Sequence, residues 1–559
     1  MIAARRRGVA AVALVGLLIA AGLLWWRADG DERTWSTRPR KQVERDAYLR
    51  RACAIPHVWA RRVQRGWENG RLQSTDLAFV PRPPVYAGGP TNTSHSGPYG
   101  FLQNVPLVLY GPGYVPARGH VGVGREVTVA DLPPTFAHLM GFDFPERRGS
   151  ALREVVSRGD APPRLLVTVV IDGGGWNVLR RWPKAWPNIA RLIERGVNLD
   201  GATVGSTPSI TPAIHTTLST GAWPRDHGVT SIVERAPDGR IVGAFSEEPR
   251  TAGTRFDPKL NLRLTTLADV WDLRVDNEAR VAMMGFGNYV AGMIGHGSSL
   301  QGADKDIVML EQDGAWATET RYFSLPSYLN TEVPGPDREL AEVDRADGRI
   351  DGRWRGHAMA PLDATPAFAG WQNRTLKALI EREGFGSDGI SDLIYVNYKA
   401  PDAAGHVWNM IAPEQRDTIA SVDAAIDDLV RFLDMEVGRE RYVLALTADH
   451  GQTPYLPGDW PLDGDEVKKD VRAAFDRLDN KRGLIQSSTA TTYFLDRAEM
   501  RANGITPEKI ASFLSGYKLE DNAPQGLPRR YRDRATDYVY AAVIPGRRID
   551  EVLSCTSPS

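Results

Sequence analysis

A chain of 559 residues is longer than one ordinary core, and one large α/β domain with a satellite or cap fits that length. Hydrophobic residues make up 42% and charged residues 25%, and 68 Lys+Arg against 69 Asp+Glu exclude a bulk attraction to nucleic acid or to an acidic partner. With only Cys53 and Cys555 present, neither a disulfide framework nor a cysteine-built zinc site can be assembled.

Arg5, Arg6 and Arg7 precede an uncharged run from Gly8 to Trp26, long enough to cross a bilayer as a helix and closed by the interfacial pair Trp25 and Trp26. The basic side stays in the cytoplasm, so residues 1–28 read as an uncleaved membrane anchor with the remainder exported to the cell envelope. A cleaved signal and a secreted product is the alternative, but no small-x-small site precedes the charged stretch that begins at Arg27. Residues 29–75 are Arg-rich and polar and read as a juxtamembrane linker or helix where no chemistry is expected. Residues 76–155 make a compact unit: strand-like Leu77–Val80, a Gly/Pro/Ser/Thr-rich loop, a second strand Val105–Tyr110 and a helical Val129–Met140.

From residue 161 onward strands and helices alternate. Leu165–Ile171, Asp392–Asn397 and Tyr442–Thr447 are apolar runs of the kind buried on both faces of a parallel sheet, and Ala185–Arg195 and Pro413–Asp434 are helical. The expected fold is a doubly wound, mostly parallel α/β sheet flanked by helices over 161–559. Cap insertions fall near 234–374 and 456–524, and polar loops at the strand C-terminal ends form the site.

Each of those strands runs into ionisable residues: Ile171 into Asp172, Asn397 into Asp402 and His406, and Thr447 into Asp449 and His450. Carboxylates and imidazoles suit a borderline-soft divalent ion, and two such ions roughly 4 Å apart can clamp the attacking and leaving oxygens of a phosphoryl displacement. Taken singly, an Asp after a strand is more often a turn or helix cap. The coincidence of the three clusters in one α/β chain is what points to a metal centre.

A fourth element is Ser206-Thr-Pro-Ser-Ile-Thr211, continuing to Thr220-Gly221 and then Trp223-Pro-Arg-Asp-His-Gly228. It resembles the nucleotide pyrophosphatase/phosphodiesterase branch of the alkaline phosphatase superfamily. The resemblance implies Thr211, a fixed distance before Thr220-Gly221, as the nucleophile, with Ser209 and Thr207 as alternatives; a helix N-terminus offers its N–H groups to the phosphate. It also implies two divalent ions, zinc first and manganese second. Asp172, Thr211, Asp449 and His450 would hold one, and Asp402 and His406 the other. In the family a histidine near the C-terminal end of the fold completes the second site, and here no histidine follows His450. Ser94-His95-Ser-Gly-Pro-Tyr, Val105–Gly113, Val129–Phe136 and Gly149–Leu152 resemble, in order, the segment that closes this superfamily's chain. The sequence therefore resembles a circular permutant in which His95 supplies the missing ligand.

The activity so implied is metal-dependent hydrolysis of a phosphate ester through a covalent phosphothreonine. A phospho-alcohol transferase acting on an envelope lipid or glycan, and a non-catalytic metal-binding pseudoenzyme, are the alternatives. Neither cysteine lies in the Cys/Ser-x-Pro-x-Arg setting of a sulfatase. Phosphodiesterases of this branch place an asparagine four residues after the His-Gly pair, where His227-Gly228 is followed by Ile232, which counts against a diester preference. In a permuted, exported chain Cys53 and Cys555 mark the entry to and exit from the catalytic domain, and the two are expected to pair as a disulfide.

Overall fold

The computed structural model describes residues 46–67, 75–89, 92–248, 253–346, 348–478, 480 and 482–556. The expected anchor at 1–28 lies outside the described residues; among these, no helix is long and apolar enough to cross a membrane. The strands used below are, in chain order, Leu77–Pro81 (β1), Leu107–Tyr110 (β2), Gly119–Val121 (β3), Leu165–Ile171 (β4), Val197–Leu199 (β5), Val281–Gly285 (β6) and Ile307–Gln312 (β7). They continue with Ala315–Ala317 (β8), Asp392–Tyr398 (β9), Tyr442–Thr447 (β10), Ile485–Ser488 (β11), Thr492–Leu495 (β12) and Tyr540–Pro545 (β13). The helices are Ala47–Ala52 (α1), His57–Gly66 (α2), Leu132–Met140 (α3), Pro187–Arg195 (α4), Thr211–Thr220 (α5), Leu267–Arg274 (α6), Pro366–Glu383 (α7), Ala400–Trp408 (α8), Pro413–Leu433 (α9) and Ile549–Cys555 (α10).

One large mixed sheet runs in the order β8-β7-β6-β9-β4-β10-β2-β5-β3. Its centre, from β7 to β10, is parallel, as strands joined by crossover helices must be. The strand β2 enters antiparallel between β10 and β5. In β4, Leu165, Val167, Val169 and Ile171 pack on one face while Leu166 and Val170 pack on the other, the two-residue period of a pleated strand. Both faces are apolar because helices cover both: α3, α5 and α6 on the Leu166 side, α4, α7 and α9 on the opposite side. Each fully buried Val or Leu there contributes about 1.5–3 kcal/mol relative to exposure.

Several boundaries differ from the sequence reading. Although β1 falls in the 76–155 segment, it pairs with β12 and β13 in a separate four-stranded sheet, β11-β12-β1-β13. An apolar run announces a strand, but its partners, far away in sequence, decide which sheet receives it. This satellite reaches from the 456–524 stretch to β13 and α10, around a core in which Phe79 stacks on Tyr493 at 4.5 Å. The 234–374 stretch is only partly a cap, since β6, β7 and β8 extend the catalytic sheet and α7 begins within it. Within 29–75, the described part is folded onto the domain. Thr207 N donates to the Arg62 carbonyl at 2.9 Å, Arg62 Nη1 donates to the Pro98 carbonyl at 2.8 Å, and a Cβ on Gly66 would sit 1.6 Å from the Thr207 carbonyl oxygen. Thus α2 braces both the loop ahead of α5 and the loop that carries His95. Cys53, at the end of α1, and Cys555, at the end of α10, are disulfide-bonded with their Cα atoms 5.3 Å apart.

Candidate functional site

Because β9, β4 and β10 are parallel and in register, their C-terminal ends bring three loops to one edge of the sheet. Asp172 follows β4, Asp449 and His450 follow β10, and Lys399, Asp402 and His406 lie on the turn and helix α8 after β9. Asp172, Asp449 and His450 are fully buried and offer one ligand atom each, all within 4.8 Å of one another. Asp172 Oδ1, Asp449 Oδ2 and His450 Nε2 are sealed from solvent with no hydrogen-bond partner. Buried polar atoms are normally paired, and three unpaired donors converging on one point fit a divalent cation. His450 Nδ1 donates to the Gly451 carbonyl at 3.0 Å, which leaves the lone pair on Nε2, 3.3 Å from Asp449 Oδ2. The other oxygen of Asp449 accepts from Gly173 N at 3.0 Å. Only glycine suits that turn: φ is +67°, and a Cβ would lie 2.5 Å from Gln452 Nε2.

His95, Asp402 and His406 form a second triad with the same 4.8 Å spread. His95 Nδ1 donates to the Ser209 carbonyl at 3.2 Å and turns Nε2 towards Asp402 Oδ1, 3.8 Å away, while His406 Nε2 is 3.4 Å from Asp402 Oδ2. Asp402 Oδ1 is again buried without a partner. The His95 ring stacks on His450 at 3.6 Å between centroids, so the triads share a wall. The donor chemistry of both fits a borderline-soft divalent ion.

Burial sets most of the protonation states. It pushes the Asp172 carboxyl up to about 6 against the pull of Lys399, and lifts Asp449 well above the carboxylate range with help from Asp172 and Asp402. It holds His95 down to about 4 and His450 well below its ordinary value, so both rings are neutral donors at neutral pH. Asp402 goes the other way: burial disfavours its charge, but His406 and then Lys399 outweigh that and hold it well below the usual range. The same contact raises His406 against its own burial.

The sequence reading assigns no role to Lys399, since a lysine after a strand is ordinarily solvated. Here it is buried, with Nζ 3.3 Å from Asp172 Oδ2 and bonded to Asp402 Oδ2, one carboxylate from each triad. Asn397 and Gln452 were equally silent. The Asn397 amide donates to Asp172 Oδ2 and to His215 Nε2, both at 2.9 Å. His215 Nδ1 in turn donates to the Thr211 carbonyl at 2.9 Å, and burial holds this ring down to about 3. Gln452 Nε2 donates to the carbonyls of Gly173 and Pro401, tying the loops together.

Thr211 is the first residue of α5, buried, flanked by Ser209 on the His95 side and His215 on the Asp449 side. Ser209 Oγ bonds the backbone of the His95 loop, and Thr207 Oγ1 accepts from Gln103 at 3.4 Å. No hydrogen bond to the Thr211 hydroxyl occurs among the described residues.

Residues 166–537 match the family described as type I phosphodiesterase/nucleotide pyrophosphatase. The chain belongs to this family. Similar proteins include the alkaline phosphatase PhoV of Synechococcus elongatus, 23% identical over 333 residues, 53% of this chain and 60% of PhoV, so less than two thirds of that relative is spanned. The alkaline phosphatase PafA of Elizabethkingia meningoseptica is 24% identical over 434 residues, 68% of this chain and 77% of PafA. The crystal structure of wild-type PafA shares the fold with a TM-score of 0.54 at 17% identity, over 68% of this chain and 84% of that one. The phosphodiesterase-family match begins at Leu166, so β2 and His95 precede it; nonetheless β2 lies within the sheet beside β10 and His95 stacks on His450.

Proposed function

We propose that this protein hydrolyses phosphate monoesters through Thr211 with two divalent cations, zinc in preference to manganese. Asp172, Asp449 and His450 hold one ion, together with the Thr211 hydroxyl; His95, Asp402 and His406 hold the other. The adjoining triads, with their sealed and unpartnered donor atoms, carry the reading. Bound divalent ions would supply charge against the phosphoryl oxygens and acidify a hydroxyl at neutral pH. The chain does the rest. The start of α5 presents backbone N–H groups to the phosphate. Thr211 Oγ1 gives up its proton to solvent and attacks phosphorus as the ester P–O bond breaks, and the departing alkoxide takes a proton from solvent. Water then cleaves the phosphothreonine, releasing inorganic phosphate and restoring the hydroxyl. Thr211 is preferred to Ser209 and Thr207 because both of those hydroxyls are engaged with other protein groups. Zinc is preferred because three imidazoles and three carboxylates make up the donor set.

Two observations favour monoesters: Ile232 stands where diesterases of the branch carry asparagine, and PhoV and PafA are named alkaline phosphatases. The early segment acts as the closing piece of a circularly permuted fold, and residues 1–28 anchor the chain with its catalytic domain outside the cytoplasm, where a Cys53–Cys555 bond is chemically at home. The test is turnover of p-nitrophenyl phosphate and bis-p-nitrophenyl phosphate before and after chelation. Monoester turnover that vanishes on chelation and returns with zinc is expected. If both substrates stay intact with zinc or manganese restored, the hydrolase reading is wrong.

A further inference from the structure

A third group of carboxylates lies at the opposite edge of the sheet from the catalytic loops. Asp272 is on the last turn of α6, while Asp304 and Asp306 sit in the turn that leads into the N-terminal end of β7. Their carboxylate oxygens all lie within 4.8 Å of one another. Asp272 is 3% exposed and Asp306 8%, whereas Asp304 is open to solvent and gives the group an entrance. Asp272 Oδ1 is sealed from water and has no hydrogen-bond partner. Two more oxygens nearby are orphaned. Asn277 donates its side-chain amide to the Gly302 carbonyl at 3.0 Å, bridging the two carboxylate-bearing segments, and its Oδ1 is buried and unpaired. The Tyr395 hydroxyl, from the middle of β9, is also buried and unpaired and feels the charges of Asp269 and Asp306.

Among the described residues, no lysine or arginine forms an ion pair with these carboxylates. Lys305, between Asp304 and Asp306 in sequence, turns Nζ away to the Thr320 carbonyl at 2.6 Å. The neighbouring His296 is paired with Asp269 at 2.8 Å. Burial, then the charge of Asp304 and a hydrogen bond shared with it, and last the charge of Asp269, push the Asp272 carboxyl up to about 7. Asp306 is lifted well above the carboxylate range by burial and by Asp272, Asp304 and Asp269. Carboxylates packed this way take up either protons or an external cation.

We infer that Asp272, Asp304 and Asp306 form a structural calcium site, separate from the catalytic centre, that fastens α6 to the turn before β7. The ligand set is all oxygen, with three carboxylates and no imidazole or thiolate, which suits a hard ion and gives zinc little purchase. Magnesium demands a tight octahedron and holds its water. Calcium accepts irregular geometry with carboxylate, amide and water oxygens together, which is what these residues can offer.

The test uses the full chain in detergent with its catalytic sites zinc-loaded, in buffer stripped of calcium over a chelating resin. Equilibrium dialysis against about 1 mM radioactive calcium chloride at neutral pH should retain one equivalent on the wild type. Asp304→Asn/Asp306→Asn should retain none, and p-nitrophenyl phosphate turnover serves as its folding check. Calcium should raise the thermal midpoint of the wild type and leave that of the single variant Asp304→Asn unchanged. Without calcium, the single variant should be the more stable protein, because one repelling charge is gone. The inference is overturned if the wild type binds no calcium, a measurement that needs no variant, or if the double variant keeps its equivalent. A wild-type midpoint indifferent to calcium, with Asp304→Asn still more stable, would assign the cluster to shared protons instead.

Discussion

Replacing Lys399 by methionine removes the buried charge between the two triads while keeping an unbranched chain of similar length. Nζ stands 3.3 Å from Asp172 Oδ2 and nearer still to Asp402 Oδ2. At an effective dielectric of about 20, a contact at that range is worth about 5 kcal/mol of attraction. Desolvation of the buried ions offsets much of this, so deleting the cation leaves a net destabilisation of about 3–5 kcal/mol. Divalent ions bound by the same carboxylates replace the lost charge, so the deficit should belong to the metal-free protein and fall below about 1 kcal/mol once zinc is bound. Linkage converts a difference of about 3 kcal/mol into zinc binding about two decades tighter in Lys399→Met than in the wild type. Urea unfolding of metal-free and zinc-loaded protein, together with zinc titration against a competing chelator, reads both quantities. Unchanged stability without metal, or weaker zinc binding in the variant, would refute Lys399 as the ions' competitor and make it a support for the ligands.

Thr211→Ala should lower turnover by about a thousandfold or more while zinc content stays nearly intact, and phosphate trapped on Ser209 in a quenched reaction would move the nucleophile there. His95→Ala should lose one zinc equivalent and as much activity as His406→Ala; metal analysis still showing both ions would remove His95 from the site. Separating Cys53 from Cys555 opens a loop spanning 502 positions, for which chain entropy alone gives about 6 kcal/mol, reduced to an expected loss of about 2–4 kcal/mol by residual structure. Urea unfolding of the Cys53→Ser/Cys555→Ser variant checks this, and a loss under about 1 kcal/mol would mean the satellite holds its ends together without the bond.

The parallel strands were legible because burial on both faces leaves one kind of sequence. Leu165–Ile171 and Tyr442–Thr447 are strands over those same residues, and Asp392–Asn397 gains only Tyr398. The ionisable residues after them were legible through their coincidence: Asp172, Asp402 and Asp449 each follow such a strand within a few residues, and parallel strands in register carry those ends to one edge. Sheet membership was not legible. Leu77–Pro81 reads like any other strand, and the partners that claim it lie more than four hundred residues away. Nor was Lys399, whose side chain is long enough to reach either water or Asp402, a choice made by the tertiary surroundings. Gln452 and Asn397 were invisible because amides carry no charge signature. The cap near 234–374 concealed β7 because only Ile307–Leu310 of Ile307–Gln312 is apolar, a run too short to separate a strand of the main sheet from one of a cap.

The position of β2 sets a timetable for synthesis. This strand leaves the ribosome early, and β5 can cover one of its edges within ninety residues. Its other edge pairs with β10, whose Leu444 opposes Tyr110. At about 5–20 residues per second, that edge stays open for roughly 20–70 s. Throughout that interval the nascent chain carries an unsatisfied apolar strand, and the His95 loop just before it has no His450 to stack on. Translation speed and chaperone cover between β2 and β10 thus become determinants of yield, and a pause in that stretch is more hazardous than one after β10.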